Sequence, residues 1–211
     1  MGQLKSMNKK LVTFGDSWAY GTELTASQKP FGYWIAESLG YEFENYALEG
    51  TSIEHMIIRL QDYIGRNTQP TTAIFFISDP RRTLYWEHDN PLNENWQTYR
   101  PAGLARPGHQ AYYKYIQSDE LDQHESQVFI LALQRICEQH NIKDYYLQGW
   151  VEIDWHYAGI DKDKIYPHTA TQILDIDFPN VTESQYFIPN KHHPNELGHK
   201  KIAQELLQWI S

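Results

Sequence analysis

The hydrophobic pattern of the chain alternates between short apolar runs and longer segments with helical spacing. Four apolar runs bounded by polar residues or glycine predict β-strands: residues 11–15, 41–46, 71–77 and 143–150. Three segments with apolar positions three and four apart predict helices: residues 30–39, 52–65 and 120–140. Strands that alternate with helices predict a parallel sheet covered by helices, which is an α/β fold.

A further amphipathic segment runs from Pro194 to Ile210. Its apolar positions recur at near-helical spacing and are predicted to face a core: Leu197, Ile202, Leu206 and Ile210. Pro194 suits the first turn of this helix, where a missing N–H is not needed. The pattern therefore places His193 at the entrance of a helix packed on the sheet.

The first strand leads directly into Gly15-Asp16-Ser17. Open α/β sheets bind their ligands at the carboxyl ends of strands, and Gly15 permits a sharp turn there. We expect Asp16, and Asp79 after the third strand, to hold backbone turns. A serine hydroxyl becomes a nucleophile when a base lies within hydrogen-bond reach, and this base can come from a distant part of the chain. His193 is the candidate.

Residues 80–118 interrupt the regular alternation and are rich in tyrosine and tryptophan. Long segments of this kind usually form lids or binding surfaces, so we expect an insertion that overhangs Ser17. Aromatic side chains in polar loops can stack on sugar rings, which favours a carbohydrate substrate. Residues 151–189 are also irregular. No linker or repeat divides the chain, so residues 1–211 are predicted to form a single domain.

The composition excludes several classes of function. A net charge of −9 argues against nucleic acid as a partner, and no apolar run is long enough for a membrane span. The single cysteine, Cys137, is predicted to be a buried structural thiol. Without a signal-peptide pattern, we expect a cytoplasmic protein. His192, His193 and His199 lack the spacing of metal ligands, so no metal and no cofactor are expected.

Four blocks of the sequence resemble those of the SGNH, or GDSL-type, hydrolases. The first is Gly15-Asp16-Ser17, and the second is the segment 45–52, with Gly50 in the glycine position. The third is Ile77-Ser78-Asp79-Pro80, in which Ser78 stands where the family has asparagine. The fourth is Asn190-Lys191-His192-His193, in which Asn190 stands where the family has aspartate.

This resemblance implies a three-layer α/β/α fold with a flavodoxin-like parallel sheet. It implies Ser17 as nucleophile, His193 as its base and Asn190 in the position of the orienting acid. The oxyanion hole would consist of the backbone N–H groups of Ser17 and Gly50 together with the Ser78 hydroxyl. The implied activity is hydrolysis of an O-acyl ester through an acyl-enzyme, with an acetylated carbohydrate or a short-chain acyl ester as substrate.

The two departures from the family pattern leave alternatives open. Asn190 carries no charge, so the protein would work as a Ser-His dyad or use another carboxylate; the candidates are Asp175, Asp177 and Glu183. The alternative function is a catalytically weakened module that binds carbohydrate or serves in assembly. Transfer of the acyl group to an alcohol differs from hydrolysis only in the acceptor.

Three residues after the third strand are candidates for substrate binding. Arg81 and Arg82 could clamp a carboxylate or phosphate, or form a solvated surface pair. Trp86 lies in the aromatic segment, where its ring could contact a sugar. The sequence does not determine the oligomeric state.

Overall fold

The computed structural model describes residues 9–66, 71–86, 96–99, 107–176 and 184–210. The side chains of residues 86, 96, 97, 99 and 107 lie outside this description. The elements in chain order are β1 (Lys10–Phe14), α1 (Ser17–Tyr20), α2 (Phe31–Leu39), β2 (Glu42–Asn45), α3 (Ile53–Arg66), β3 (Thr71–Ile77), β4 (Thr83–Trp86), β5 (Trp96–Tyr99), α4 (Pro107–Tyr115), α5 (Asp119–Gln139), β6 (Lys143–Gln148), α6 (Ala170–Ile173) and α7 (Glu196–Ile210).

The four predicted strands form a parallel sheet in the order β2-β1-β3-β6. Phe14 pairs in register with Phe75, which pairs with Tyr146, and their rings stack at centroid distances of 4.9 and 5.1 Å. Aligned aromatic neighbours on one face of a sheet stabilise the strand pairing. The register therefore fixes which residues lie at the carboxyl ends of adjacent strands.

Two apolar cores lie on opposite faces of this sheet. One contains buried residues of α2 and α7 packed on strand residues such as Leu11 and Phe76. The other contains buried residues of α3 and α5 packed on Val12 and Phe75. Cys137 of α5 is buried there, as predicted. The predicted three-layer α/β/α arrangement is thus confirmed.

The start of α7 differs from the prediction. Asn195 caps the helix, because its side-chain oxygen accepts a hydrogen bond from the Gly198 N–H at 3.1 Å. Pro194 precedes this cap and forms an isolated bridge with Phe187, so its expected place in the first turn is wrong. Leu197 is 50% exposed, so it does not face the core; in the first turn of α7 Gly198 and His199 are buried instead.

Residues 80–118 contain more regular structure than predicted. β4 and β5 pair antiparallel, and α4 follows them. The segment is anchored to α3, because Glu54 accepts hydrogen bonds from the Thr83 hydroxyl at 2.8 Å and the Leu84 N–H at 2.9 Å. The lid over Ser17 remains a prediction, since residues 87–95 and 100–106 lie outside the described part of the chain. None of the described helices has the length and apolar character required to cross a bilayer.

Candidate active site

The turn after β1 presents Ser17 at the carboxyl edge of the sheet. Gly15 has a φ of 149°, and a Cβ there would lie 2.7 Å from the Phe76 Cβ and 2.9 Å from the Ala19 Cβ. Only glycine fits this space. The Asp16 carboxylate accepts a hydrogen bond from the Trp18 N–H at 3.0 Å and so caps α1. Ser17 is consequently the first residue of α1 and is half-buried.

Asp16 also joins this turn to the loop after β3. Its carboxylate is fully buried and lies 2.8 Å from the Arg82 guanidinium, which also donates to the Thr51 carbonyl at 3.2 Å. The Arg82 guanidinium lies over the Trp150 ring at 5.3 Å. Burial raises the pKa of the Asp16 carboxyl, and the charge of Arg82 opposes this rise. The ion pair therefore fastens the turn that carries Ser17 to the loop after β3.

The segment after β2 is fastened to the same turn. The Asn45 amide donates to the carbonyls of Ala19 and Tyr20 at 3.3 and 3.2 Å, which are the last carbonyls of α1. The Leu48 N–H donates to the Gly15 carbonyl at 2.8 Å. Two residues later, Gly50 is buried and has a φ of 69°, a conformation that suits glycine. These bonds bring the Gly50 turn to the edge that carries Ser17.

Ser78 follows β3 directly and is 2% exposed. Among the described residues its hydroxyl has no hydrogen-bond partner, although a buried unsatisfied hydroxyl costs about 1–3 kcal/mol. The next residue, Asp79, holds the backbone turn as predicted, because its side chain accepts from the Arg81 N–H at 3.0 Å. Ser78 is thus a buried donor at the carboxyl edge of the sheet, with its hydroxyl unused by the residues that the structure describes.

The loop that carries His193 packs against α1. The Trp18 indole N–H donates to the His192 carbonyl at 3.0 Å, and the Ile188 N–H donates to the His193 carbonyl at 3.1 Å. The charge of His193 also lowers the pKa of Asp16, next to Ser17, as a minor effect. The structure therefore brings the predicted nucleophile and base segments together. Within the described ranges, no hydrogen bond joins the Ser17 hydroxyl to the His193 ring.

The carboxylate beside His193 belongs to Glu23, a residue that the sequence analysis missed. Its Oε2 lies 2.9 Å from Nδ1 of His193, and its Oε1 lies 2.8 Å from the Lys191 ammonium. The hydrogen bonds from Lys191 and His193 hold the pKa of Glu23 below its ordinary value. Glu23 has no motif around it, and its position six residues after Ser17 in a polar loop was the only available signal.

Asn190, which was expected to orient His193, occupies a turn instead. The Lys191 N–H donates to the Ile188 carbonyl at 3.0 Å, with Pro189 and Asn190 in the middle and a φ of 60° at Asn190. This is the residue pattern of a type II turn, whose third position favours glycine or asparagine. Asn190 is exposed. Asparagine is found at residue 190 because the turn requires a left-handed backbone there. The carboxylate at Nδ1 of His193 comes from Glu23, in another loop.

The other predicted residues have mixed outcomes. Arg81 forms an ion pair with Asp79 at 2.6 Å, and Arg82 forms one with Asp16 at 2.8 Å. Substrate binding by either arginine remains a prediction. Burial raises the pKa of the Asp79 carboxyl, but the hydrogen bonds from Arg81 outweigh burial and hold this pKa below its ordinary value. Three predicted groups lie outside the described residues: the Trp86 side chain, Asp177 and Glu183. Asp175 closes a turn after α6, where its N–H donates to the Gln172 carbonyl at 3.1 Å.

His199 is a second histidine of the same region with a different environment. It is 1% exposed, and its Nδ1 accepts a hydrogen bond from the Phe31 N–H at 3.2 Å. Burial lowers the pKa of His199 to about 3, so the ring is neutral at ordinary pH. His199 ties α7 to α2. In the described part of the chain, no group of three His, Cys, Asp or Glu side chains has the geometry of a metal site.

The structure is similar to several solved structures. One is a protein described as a G-D-S-L family lipolytic protein from Desulfitobacterium hafniense DCB-2, with a TM-score of 0.57 and 14% identity over 96% of this chain and 99% of that one. The acetyl xylan esterase AlAXEase gives a TM-score of 0.55 and 13% identity, over 96% of this chain and 100% of that one.

A carbohydrate esterase, whose active site displays divergent catalytic and non-catalytic binding functions, gives a TM-score of 0.51 and 10% identity. That match covers 96% of this chain and 64% of the other. No protein-family model and no curated protein matches the sequence. The similarity therefore establishes the fold: the chain has the fold of the SGNH hydrolases.

Proposed function

We propose that the protein is a serine hydrolase of O-acyl esters, with Ser17 as nucleophile and His193 as general base. One observation carries the proposal. The Trp18 indole, directly after Ser17, donates a hydrogen bond to the carbonyl of His192, directly before His193. A single bond between the neighbours of two candidate reacting residues supports their meeting at one edge of the sheet. The hydrogen bonds of such a pair often tighten only when substrate binds.

The reaction follows from these two side chains. His193 takes the hydroxyl proton of Ser17 while the serine oxygen attacks the ester carbonyl and forms a tetrahedral oxyanion. The oxyanion collapses, the C–O bond to the alcohol breaks, and His193 returns the proton to the leaving alcohol. Water then attacks the acyl-enzyme by the same route and releases the acid and free Ser17.

The proposed oxyanion donors are the N–H groups of Ser17 and Gly50 and the hydroxyl of Ser78. The Ser78 hydroxyl is buried without a partner in the described part of the chain, which supports a donor that is reserved for a ligand. The loss of one such donor typically lowers kcat by about 10²–10³-fold. A serine hydroxyl in place of the longer asparagine amide would therefore weaken catalysis without abolishing it.

We further propose a small acyl ester as substrate, either a short-chain acyl ester or an acetylated carbohydrate. The tyrosines and tryptophans of residues 80–118 support a carbohydrate ester, because aromatic side chains in polar loops can stack on sugar rings. One protein of the same fold is an acetyl xylan esterase, which agrees with an acetylated sugar. The acyl acceptor would be water, or an alcohol if the protein transfers acyl groups.

The first prediction tests the reaction with p-nitrophenyl acetate. Replacement of Ser17 by Ala, or of His193 by Ala, should lower kcat by at least about 10³-fold, because each removes a participant in every step. Ser27→Ala is the matched control, since Ser27 is exposed and should leave kcat unchanged. A fluorophosphonate should label Ser17 in the wild type and nothing in Ser17→Ala. Equal rates in all four proteins would contradict the proposal.

The alternative is a module of the same fold that binds carbohydrate without turnover. Ser78 and Asn190 favour it, because they replace the asparagine and aspartate of the family blocks. A carbohydrate esterase with a non-catalytic binding function has this fold. This alternative predicts glycan binding that survives Ser17→Ala and is lost when Trp86 or Trp96 is replaced. Ser17-dependent turnover without such binding would exclude it.

A further inference from the structure

We infer that Glu23 is the positioning residue for His193, so that the orienting carboxylate comes from the loop after the nucleophile helix. This inference rests on the proposed function and adds a third member to the Ser17–His193 pair. The family resemblance places the acid at residue 190, three residues before the histidine. Here the side chain at Nδ1 of His193 is that of Glu23, in the loop between α1 and α2.

The geometry fixes the tautomer of His193. A carboxylate can only accept hydrogen bonds, so the 2.9 Å contact with Glu23 requires that Nδ1 of His193 carries the proton. In the neutral ring, Nε2 then has the free lone pair and can take a proton from a serine hydroxyl. Without an acceptor at Nδ1, the ring is free to adopt the other tautomer, which cannot act as base through Nε2.

The charge of Glu23 suits the same role. Lys191 and His193 both donate to this carboxylate and hold its pKa below the ordinary value, so Glu23 is ionised at neutral pH. A negative charge at Nδ1 stabilises the imidazolium that forms when His193 accepts the proton. Asn190 could accept a hydrogen bond but could not supply this charge.

The backbone conformation of Glu23 is unusual for this residue type. Its φ is 69°, a left-handed conformation that costs energy for any residue with a β-carbon and is uncommon for glutamate. Such conformations persist mainly where the surroundings impose them, and they cluster at functional sites. The preceding residue is held by a bond from the Thr22 hydroxyl to Glu49 at 2.8 Å. The Leu24 N–H donates to the Gly21 carbonyl at 3.1 Å, so Glu23 occupies the third position of a turn, and its carboxylate lies at His193.

A simpler role for Glu23 is to tether the histidine loop through Lys191. The Lys191–Glu23 and His193–Glu23 pairs are both partly exposed, and pairs of this kind contribute little to stability. The tether and the positioning role therefore differ in their response to Lys191. A tether fails when Lys191 is removed, whereas the contact at Nδ1 of His193 does not need the ammonium.

The second prediction compares three variants of the full chain in p-nitrophenyl acetate hydrolysis. Glu23→Gln should lower kcat by about 10²–10⁴-fold with little change in KM, because the amide neither carries charge nor enforces the tautomer. Lys191→Met should keep kcat within about threefold of wild type, as expected for a partly exposed ion pair. Glu138→Gln is the matched control, since it removes the same charge from an exposed ion pair, that of Glu138 with Arg135 at 2.7 Å on the surface of α5.

Nuclear magnetic resonance of ¹⁵N-labelled histidine gives a second readout that needs no turnover. The His193 signal is assigned by its absence in His193→Ala. The neutral ring should carry its proton on Nδ1 in the wild type and in Lys191→Met, and should populate both tautomers in Glu23→Gln. A purely structural tether would leave the tautomer unchanged.

Two results overturn the inference. One is an unchanged tautomer in Glu23→Gln, and the other is an equal loss of kcat in Glu23→Gln and Lys191→Met. Failure of the proposed function looks different, because the wild type would then show no Ser17-dependent turnover while the tautomer measurement still reports on Glu23. The two ideas are therefore tested separately.

Discussion

The turn after β1 and the loop before α7 hold the two proposed reacting side chains in opposite ways. Asp16, which caps the serine turn, is 0% exposed and is paired with Arg82 inside the protein. The His193 and Glu23 side chains are 26% and 28% exposed, and they meet near the surface. This difference in burial should determine what a substitution in each region changes. Changes beneath Ser17 should act on stability, and changes around His193 should act on catalysis.

The largest change in stability should come from the buried side of this comparison. Arg82→Met leaves the Asp16 carboxylate buried without its counter-charge, and the free energy of unfolding should fall by about 3–5 kcal/mol. Urea unfolding followed by circular dichroism measures the change. Arg66→Met is the matched control, because Arg66 pairs with Asp62 at 3.7 Å on the exposed surface and should matter little. Equal midpoints for the two variants would break the comparison.

The pH dependence of stability should sharpen the comparison within the histidine region. Unfolded histidine titrates near 6.5, whereas the folded pKa of His199 is about 3, so below pH 6.5 the unfolded chain binds a proton that the folded chain does not. Stability is complete above this value and should fall by about 2 kcal/mol on going down to pH 5.

Urea unfolding of wild type and His199→Phe at pH 7.5 and pH 5 measures this effect. His199→Phe keeps a buried ring but removes the titrating group, so its loss of stability between the two pH values should be smaller than that of wild type. His140→Phe is the control, since His140 is exposed at the end of α5 and should leave the dependence intact. If His199→Phe lost as much stability as wild type between the two pH values, the lowered pKa of the buried His199 would be contradicted.

The smallest expected effect concerns the backbone of Glu23. Asparagine tolerates the left-handed conformation better than glutamate, so Glu23→Asn should raise the free energy of unfolding by roughly 0.5 kcal/mol. Its shorter side chain should leave Nδ1 of His193 without a carboxylate, and kcat should fall. Thermal unfolding beside the esterase assay checks both results. A variant that loses stability together with activity would remove the contrast between the two regions.

Much of the fold could be predicted from local pattern. β3 has the predicted bounds because its continuous apolar run is buried on both faces, as a central parallel strand requires. α2 ends at Leu39, as predicted, because Gly40 follows with a φ of 68°, a left-handed conformation that suits glycine. α3 begins within one residue of its predicted start, because the Ser52 hydroxyl caps it by accepting from the His55 N–H at 3.4 Å. In each case the residues that allow the prediction lie within a few positions of the strand or helix end that they determine.

The failures have equally specific causes. The β4–β5 hairpin was missed although its β-branched and aromatic residues favour strands, because prolines and glycines elsewhere in residues 80–118 suggested a loop. Asn190 was assigned by its position in a block, while its backbone satisfies a turn. The contact between Glu23 and His193 joins residues 170 positions apart, and no local pattern encodes it.

The hydrogen bond between Trp18 and His192 spans 174 positions, and this separation sets an order of events during synthesis. The turn beside Trp18 leaves the ribosome before the loop that carries His192, together with the strand that precedes the turn. Contacts of such long range close late, since the intervening chain must first be ordered. A nascent chain would therefore carry an assembled sheet and an unaided Ser17 until the loop before α7 had also been synthesised and folded.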